Sequence, residues 1–294
     1  MVDMNPLLIT SCGLVGATFV RALAARGCSC VESHYPGVDE PRGAPVDIAS
    51  EDSVGELFAH ARPRTVVLSA ALTNVEFCQE NRETAWKINV NGAQNVARAC
   101  KANRAKIVFF SSDYVFDGAD GPYSEADAPH PISVYGETKL AAESFIRETL
   151  DDHLIVRTTV VYGYEARGKN FCYRLINTLK AGQRIRVPSD QIGSPTYARN
   201  LVEVVVDLFD KGRTGIYNVV GKDLVDRYEF SRRVCRVFGL DESLLEPVLT
   251  RELAQKAPRP LNGGLRIDKV TRESSVPVMG VDEGLAAFKK ELYG

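Results

Sequence analysis

The chain has 294 residues, of which 45% are apolar and 25% charged, with a formal net charge of −2. That balance excludes a mostly disordered chain, which needs low hydrophobicity and high net charge. The absence of any basic run argues against a nucleic-acid partner, because phosphate binding needs a basic patch. No apolar stretch reaches the length of a membrane span, and the N-terminus has no basic segment followed by a long apolar run. The seven cysteines lie apart, at 12, 28, 30, 78, 100, 172 and 235, with no CxxC pair and no clustering with the four histidines. Reduced thiols in a cytoplasmic protein are expected, with neither a disulfide framework nor a metal cluster.

In chain order, Leu7–Thr10 reads as a short strand closed by a turn at Ser11-Cys12-Gly13. A helix follows from Leu14 to Arg26, stopped by Gly27. A strand is expected from Cys28 to Ser33, a helix from Glu51 to Ala61 and a strand from Thr65 to Ser69. A long helix then runs from Asn81 to Asn103, and a buried strand from Lys106 to Ser111. Ser133–Leu150 reads as a helix and Leu154–Arg157 as a strand. Strands alternating with helices imply βαβ units, because parallel neighbours need a crossover connection. The expected fold is therefore α/β, a Rossmann-type doubly wound parallel sheet. After about residue 163 the alternation loosens. Helices are expected at 170–180, 197–210 and 228–238, a strand at 215–219, and a loop at 257–264. This half reads as a smaller lobe, with segments near 190–220 returning to the sheet.

Gly13-Leu14-Val15-Gly16 lies between the first strand and the first helix. Free backbone N–H groups at such a helix start can hold a dinucleotide pyrophosphate. Thr10 stands where the three-glycine pattern has its first glycine, adding a Cβ at the turn. The second strand ends Ser33-His34-Tyr35, with no acid at His34 to read a ribose hydroxyl and Arg42 further along. That leans toward NADPH and leaves NADH open, with His34 placed on the cofactor side or at the surface.

Tyr135-Gly136-Glu137-Thr138-Lys139 starts a helix, so Lys139 shares a face with Tyr135. An ammonium nearby is expected to lower the phenol's pKa and make it a proton-transfer group near neutral pH. Ser111-Ser112-Asp113-Tyr114 ends the strand at 106–111. Strand C-termini face the ligand crevice of a doubly wound sheet, so Ser112 can reach a carbonyl beside Tyr135.

The runs Ser111-Ser112-Asp113-Tyr114-Val115-Phe116-Asp117-Gly118, Gly121-Pro122-Tyr123-Ser124-Glu125, Tyr135-Gly136-Glu137-Thr138-Lys139 and Asp190-Gln191-Ile192-Gly193-Ser194-Pro195-Thr196 carry a resemblance. Over essentially its whole length the chain resembles the extended short-chain dehydrogenase/reductases, and among them the dTDP-4-dehydrorhamnose reductase family. The resemblance implies an NAD(P)-binding Rossmann domain over 1–163 and a mainly substrate-binding lobe over 164–294. It implies NAD(P)H-dependent reduction of a 4-keto nucleotide sugar in cell-surface polysaccharide biosynthesis, with a homodimer compatible. Ser112, Tyr135 and Lys139 become the catalytic trio. Asp47, Ile48, Ala70, Ala71 and Asn89 match cofactor-side positions. Thr73, Val75, Asp113 and Tyr114 look substrate-side, and Asn170, Phe171 and Arg259 look like contacts to the nucleotide-sugar region. Ser112 stands where the family usually has Thr, and Val160 where it often has Trp. The resemblance places no metal ligand.

Three alternatives remain open at this point. A sugar 4,6-dehydratase needs an Asp-Glu pair after the strand-end hydroxyl, and here Asp113 is followed by Tyr114. A 4-epimerase lacks the YVFDG continuation. From another class, the regulatory β subunit of methionine adenosyltransferase shares the fold and a similar SSDYVFDG segment, which allows a non-catalytic NAD(P)-binding role.

Overall fold

The computed structural model describes residues 6–9, 12–38, 41–166 and 168–294. Thr10 and Ser11 of the first turn lie outside the described residues. Strand β1 (Pro6–Ile9) leads into helix α1 (Leu14–Ala25), β2 (Val31–His34), the short β3 (Ala44–Pro45), α2 (Glu51–Ala61) and β4 (Thr65–Leu68). The expected long helix over 81–103 is preceded by α3 (Val75–Glu80). It runs as α4 (Arg82–Trp86), a π-helical turn (Lys87–Asn91) and α5 (Gly92–Asn103). Then come β5 (Lys106–Ser112), α6 (Val134–Thr149) and β6 (His153–Thr158).

These strands form one seven-stranded sheet in the order β11-β6-β5-β4-β1-β2-β3, where β11 is Gly215–Asn218. Every pairing in it is parallel. The order turns back between β1 and β4, which is the switch point where doubly wound sheets bind their ligands. One face is covered by α2, α5 and α6, around Val66, Leu68, Ile107, Phe109 and Ile155. The other is covered by α1 and α8 (Ala198–Asp210), around Val67, Val108, Val156, Leu201 and Val205. The side chains of β4, β5 and β6 are buried on both faces, as their near-continuous Val/Ile/Leu/Phe runs require.

The chain leaves the sheet after β6. The lobe holds β7 (Val161–Tyr162), α7 (Phe171–Lys180), β8 (Ile185–Pro188), β9 (Ile192–Gly193), β10 (Thr196–Tyr197), β12 (Val225–Asp226), α9 (Arg227–Phe238) and β13 (Leu245–Val248). Helices α10 (Asp268–Glu273) and α11 (Val281–Tyr293) follow, where sequence patterning assigned nothing. The lobe has its own aromatic core, in which Tyr162, Phe230 and Phe288 pack with Leu175 and Val234. Its small strands pair only in twos, β7 with β10, β8 with β13 and β9 with β12. Strands of two to four residues carry too little alternation for a sequence pattern to detect. Among the described residues no helix is long and apolar enough to cross a membrane.

Candidate active site at the sheet edge

The site begins where β5 ends. Ser112 closes the strand, and its Oγ accepts the Tyr114 N–H at 3.2 Å, turning the chain into a single 3-10 turn over Asp113–Val115. The same hydroxyl donates to Asp113 Oδ1 at 2.8 Å. Helix α6 is capped by Ser133, whose Oγ accepts the Gly136 N–H at 3.3 Å. Its first turn rests directly on the turn after β5. A Cβ at Gly136 would come within 2.1 Å of the Tyr114 carbonyl oxygen, so only glycine allows this approach. The close seating brings Tyr135 to Ser112 and sets its ring edge-on to Tyr114, with centroids 5.5 Å apart. Ser112, Asp113, Tyr135 and Lys139 are all buried.

Burial dominates the acid–base chemistry here. The Tyr135 phenol is pushed well above its ordinary value by burial and by the Asp113 carboxyl, with Ser112 pulling the other way. The lowering expected from Lys139 is not found: burial dominates the phenol, and it acts on the lysine's ammonium too. Lys139 is itself pushed down to about 8 by burial. The phenol is therefore protonated at neutral pH, the state a proton donor needs. Asp113 is pushed up to about 6 by burial, against hydrogen bonds from Thr159 and Ser112 and the charge of Arg227.

The cofactor-side positions line the same edge. Gly13 caps α1 in an extended conformation, with no side-chain cap and no acid in the first turn. Among the described residues nothing stands within 4 Å of where a Cβ on Gly13 would be. An anionic diphosphate fits that start, because the helix dipole and the unsatisfied donors both favour negative charge. Leu14 and Val15 are half-buried and Gly16 is buried. Asp47 uses Oδ1 on the Ala49 N–H at 3.0 Å, and Ile48 is buried against Gly92. Ala70 and Ala71 follow β4 and are half-buried.

Three residues singled out in the sequence are held by partners within the protein. His34 is not a surface residue: it is buried at the end of β2, with Nδ1 3.0 Å from the Arg42 carbonyl. Asn89 is a bracket within the protein. Its Oδ1 accepts the Leu72 N–H at 2.7 Å, and its Nδ2 donates to the Leu72 carbonyl and to Thr138 Oγ1, each at 3.1 Å. It thus ties the loop after β4 to α6. Asn170 is the cap of α7: Oδ1 accepts the Tyr173 N–H at 3.1 Å, and Nδ2 donates to the Gly163 carbonyl at 3.1 Å and also to Glu165.

On the lobe side, Asp113, Tyr114, Thr159, Val160, Gln191, Arg227 and Pro260 line one cleft. Thr73 is exposed and Val75, the first residue of α3, is half-buried. Phe171 lies under the Arg227 guanidinium, whose carbon is 5.0 Å from the ring centroid. Arg259 pairs with Glu76, and its guanidinium carbon stands 5.9 Å from the Tyr114 ring centroid. Its Nη1 is buried without a partner. Burial, Arg259 and Arg174 all disfavour the charged Arg227, while Tyr114 and Asp113 favour it. Sequence reasoning missed Arg227, Thr159 and Gln191. The Asp190–Thr196 run did mark the stretch that supplies Gln191, but an arginine opening α9 carries no local signal.

The arrangement brings together a protonated tyrosine, a lysine one turn on, a strand-end serine and a helix start at the switch point, groups that can together serve the reduction of a carbonyl. A family model described as the RmlD substrate binding domain matches residues 4–293. The dTDP-4-dehydrorhamnose reductase of Escherichia coli (strain K12) is 31% identical over 305 residues, covering 99% of this chain and 98% of that protein. The spore coat polysaccharide biosynthesis protein SpsK of Bacillus subtilis is 39% identical over 216 residues, covering 73% and 75%. The crystal structure of dTDP-4-dehydrorhamnose reductase from Bacillus anthracis in complex with NADP superposes with a TM-score of 0.89, at 29% identity, over 98% of this chain and 99% of that one. The chain belongs to the RmlD family of extended short-chain dehydrogenase/reductases.

Proposed function

We propose that the protein reduces the 4-keto group of a nucleotide-linked 6-deoxysugar, with NADPH or NADH as the reductant, in the making of a surface polysaccharide. The observation that carries this reading is the buried, protonated Tyr135 held beside Ser112 at the end of β5. Reduction of a carbonyl needs a proton donor at the oxygen, and burial keeps the phenol in the donor form.

Gly13, Gly16 and the start of α1 would hold the diphosphate of the dinucleotide, with Asp47 and Ile48 toward its adenine side. When bound, the reduced nicotinamide supplies a hydride to the C4 carbon. Tyr135 gives its phenolic proton to the C4 oxygen as the C=O π bond breaks, leaving a secondary alcohol. Lys139 steadies the nicotinamide ribose and favours the deprotonated tyrosine that results. Ser112 orients the carbonyl. Its hydroxyl donates a hydrogen bond to Asp113, so substrate and Asp113 compete for that donor. Tyr114 occupies the place where elimination chemistry needs a second acid, which favours reduction over dehydration.

Arg227 and Arg259 supply cationic donors across the cleft, suited to the diphosphate of a sugar nucleotide. A free sugar would leave both unanswered. The relatives' names and the NADP-bound neighbour support the same substrate and cofactor classes. Homodimers and a cytoplasmic setting are part of this reading. The test is to mix the protein with NADPH or NADH and dTDP-4-dehydrorhamnose, or related 4-keto nucleotide sugars, and follow loss of the nicotinamide absorbance. Oxidation with at least one such sugar is expected. Tight cofactor binding with no turnover across the panel would overturn the reading in favour of a binding subunit.

A further inference from the structure

Lys139 and Glu143 are four residues apart on α6 and are 3% and 1% exposed. Residues at that spacing share a helix face and ordinarily form an ion pair. Here another cation takes the carboxylate. Arg157 on β6, 1% exposed, donates Nε to Glu143 Oε1 at 3.0 Å and Nη2 to Oε2 at 2.7 Å. The fork engages both oxygens, the strongest geometry available to this pair. The Phe116 ring, with its centroid 5.1 Å from the guanidinium carbon, closes one side of Arg157. The Lys139 ammonium meets the face of Phe109 instead, with Nζ 4.3 Å from the ring centroid. Phe109 lies on β5, the strand that ends in Ser112.

We propose that the Glu143–Arg157 pair is a positioning device for Lys139. By holding both Glu143 oxygens, Arg157 keeps the carboxylate from drawing the ammonium back along α6 and leaves it available at the Tyr135 end of the site. The inference rests on the role given to Lys139 above, and neither residue of the pair touches the reacting atoms.

The electrostatic surroundings agree in sign. Burial lowers the lysine, while Glu143 and Cys78 of α3 raise it. The other charged or titratable groups on elements packed against α6 are Glu76 and Glu80 of α3, Arg82 and Glu83 of α4, Lys87 of the π turn, Arg98, Cys100 and Lys101 of α5, Lys106 of β5, Asp113 and Tyr114 after it, and His153 of β6. Arg82 is paired with Glu137 at 2.7 Å, and the Arg98 guanidinium stacks on Phe145 at 5.1 Å. Arg157 thus supplies the charge that offsets Glu143 beside Lys139.

The two halves of the pair should act with opposite sign. Arg157→Met leaves an uncompensated carboxylate one turn from Lys139, and an opposite charge that close favours the ammonium by about one pH unit or more. Glu143→Gln leaves an uncompensated guanidinium and shifts the lysine the other way by a similar amount, about one pH unit. The double variant removes both charges and should bring Lys139 back toward its original titration. The measurement is NMR titration of 13C-labelled lysines with NADPH bound, assigned through Lys139→Met, together with the pH profile of kcat and the NADPH affinity.

Opposite shifts in the two single variants, cancelled in the double, support the proposal. Shifts of the same sign, or none, overturn it, because loss of a purely structural pair would destabilise the fold without signing the lysine. If Arg157→Met does not fold, the downward shift in Glu143→Gln and its reversal in the double still decide. Wild-type protein that binds NADPH but reduces no 4-keto nucleotide sugar would instead overturn the functional reading, while the lysine titration goes on testing the pair.

Discussion

The sheet edge and the C-terminal lobe face one cleft but hold their polar groups differently. On the sheet side the groups around Tyr135 are engaged, Ser112 bridging Asp113 and the Tyr114 N–H, Asn89 bracketing Leu72 and Thr138, and Arg157 gripping Glu143, although Ser111 Oγ, Thr158 Oγ1 and Arg157 Nη1 are buried without a partner. On the lobe side Arg259 keeps a buried Nη1 without a partner, and Arg227 rests on an aromatic ring. Buried polar groups are normally paired, so an orphaned donor beside a cleft marks a place for a ligand acceptor. Chemistry needs fixed geometry, which the sheet gives through satisfied networks on rigid elements. Recognition needs cationic donors at the cleft, and Arg227 and Arg259 supply them from the lobe side.

That contrast can be broken most sharply at Tyr135. Tyr135→Phe removes the proton donor and keeps the ring that packs on Tyr114. Turnover should fall by ~10²–10⁴-fold while NADPH affinity stays close to that of the unmodified protein. Turnover retained in calibrated kinetics would remove Tyr135 from its role and with it the division between the two sides.

A second large effect concerns Asp113, where the two sides meet. Its carboxyl is raised from 3.8 to about 6 in the folded protein. The native state therefore binds more protons than the unfolded chain between those values. The protonated form's contribution to stability is complete below the unfolded value and is lost as pH rises through about 6. Asp113→Asn removes that charge burden. It should stabilise the protein at pH 8 by about 3 kcal/mol, with the gain fading toward pH 4, while catalysis weakens. Urea unfolding at the two pH values checks this, and an equal gain at both would show that the carboxyl is not strained by burial.

How far each side was legible follows from the same contrast. The sheet side is written in contiguous segments. Each functional group there sits at the end of a periodic element, so the SDYVFDG run and the Tyr135–Lys139 spacing marked it directly. The doubly wound order also followed from alternation of strands and helices. The lobe side is assembled from single residues of distant loops and short strands, Thr159, Gln191, Arg227 and Arg259, and only the fold brings them together. Asn89 and Asn170 show the converse limit: a polar residue at a motif position can be spent on the protein's own backbone, and spacing does not reveal that. The tyrosine's acidity was misjudged because spacing reports the neighbouring charge and not the burial that outweighs it.

Arg227 tests the recognition half. Arg227→Met keeps the packing on Phe171 and removes the donors. Loss of charge-assisted hydrogen bonds worth about 1.5–3 kcal/mol should raise KM for the sugar nucleotide roughly tenfold to a hundredfold. Cofactor affinity should hold, and kcat should change far less. An equal loss in kcat would place Arg227 with the chemistry instead and erase the distinction drawn here.

The smallest expected effect sharpens the comparison at the seam, on the chain leaving β6. Val156 is fully buried within the strand, at 0% exposure. Val160, four residues on, lines the cleft with φ at +44°, the left-handed region that a β-branched residue rarely enters. Its carbonyl accepts the Thr196 N–H at 3.2 Å, which helps to hold it there. Such a conformation costs an L-residue roughly 1–2 kcal/mol. Val160→Gly relieves that cost. Against it stand the greater freedom of glycine in the unfolded chain, about 0.5–1 kcal/mol, and the lost contact of a half-buried valine, about 1 kcal/mol. The terms nearly cancel, so the variant should unfold within about 1 kcal/mol of the parent. Val156→Gly has no strain to relieve and should cost about 3 kcal/mol or more. Parallel denaturation of the two variants decides. Comparable large losses would mean that Val160 is held by packing like a sheet residue. A near-neutral Val160→Gly would show that the valine is kept at a backbone cost, at the one point where the rigid strand hands over to the substrate cleft.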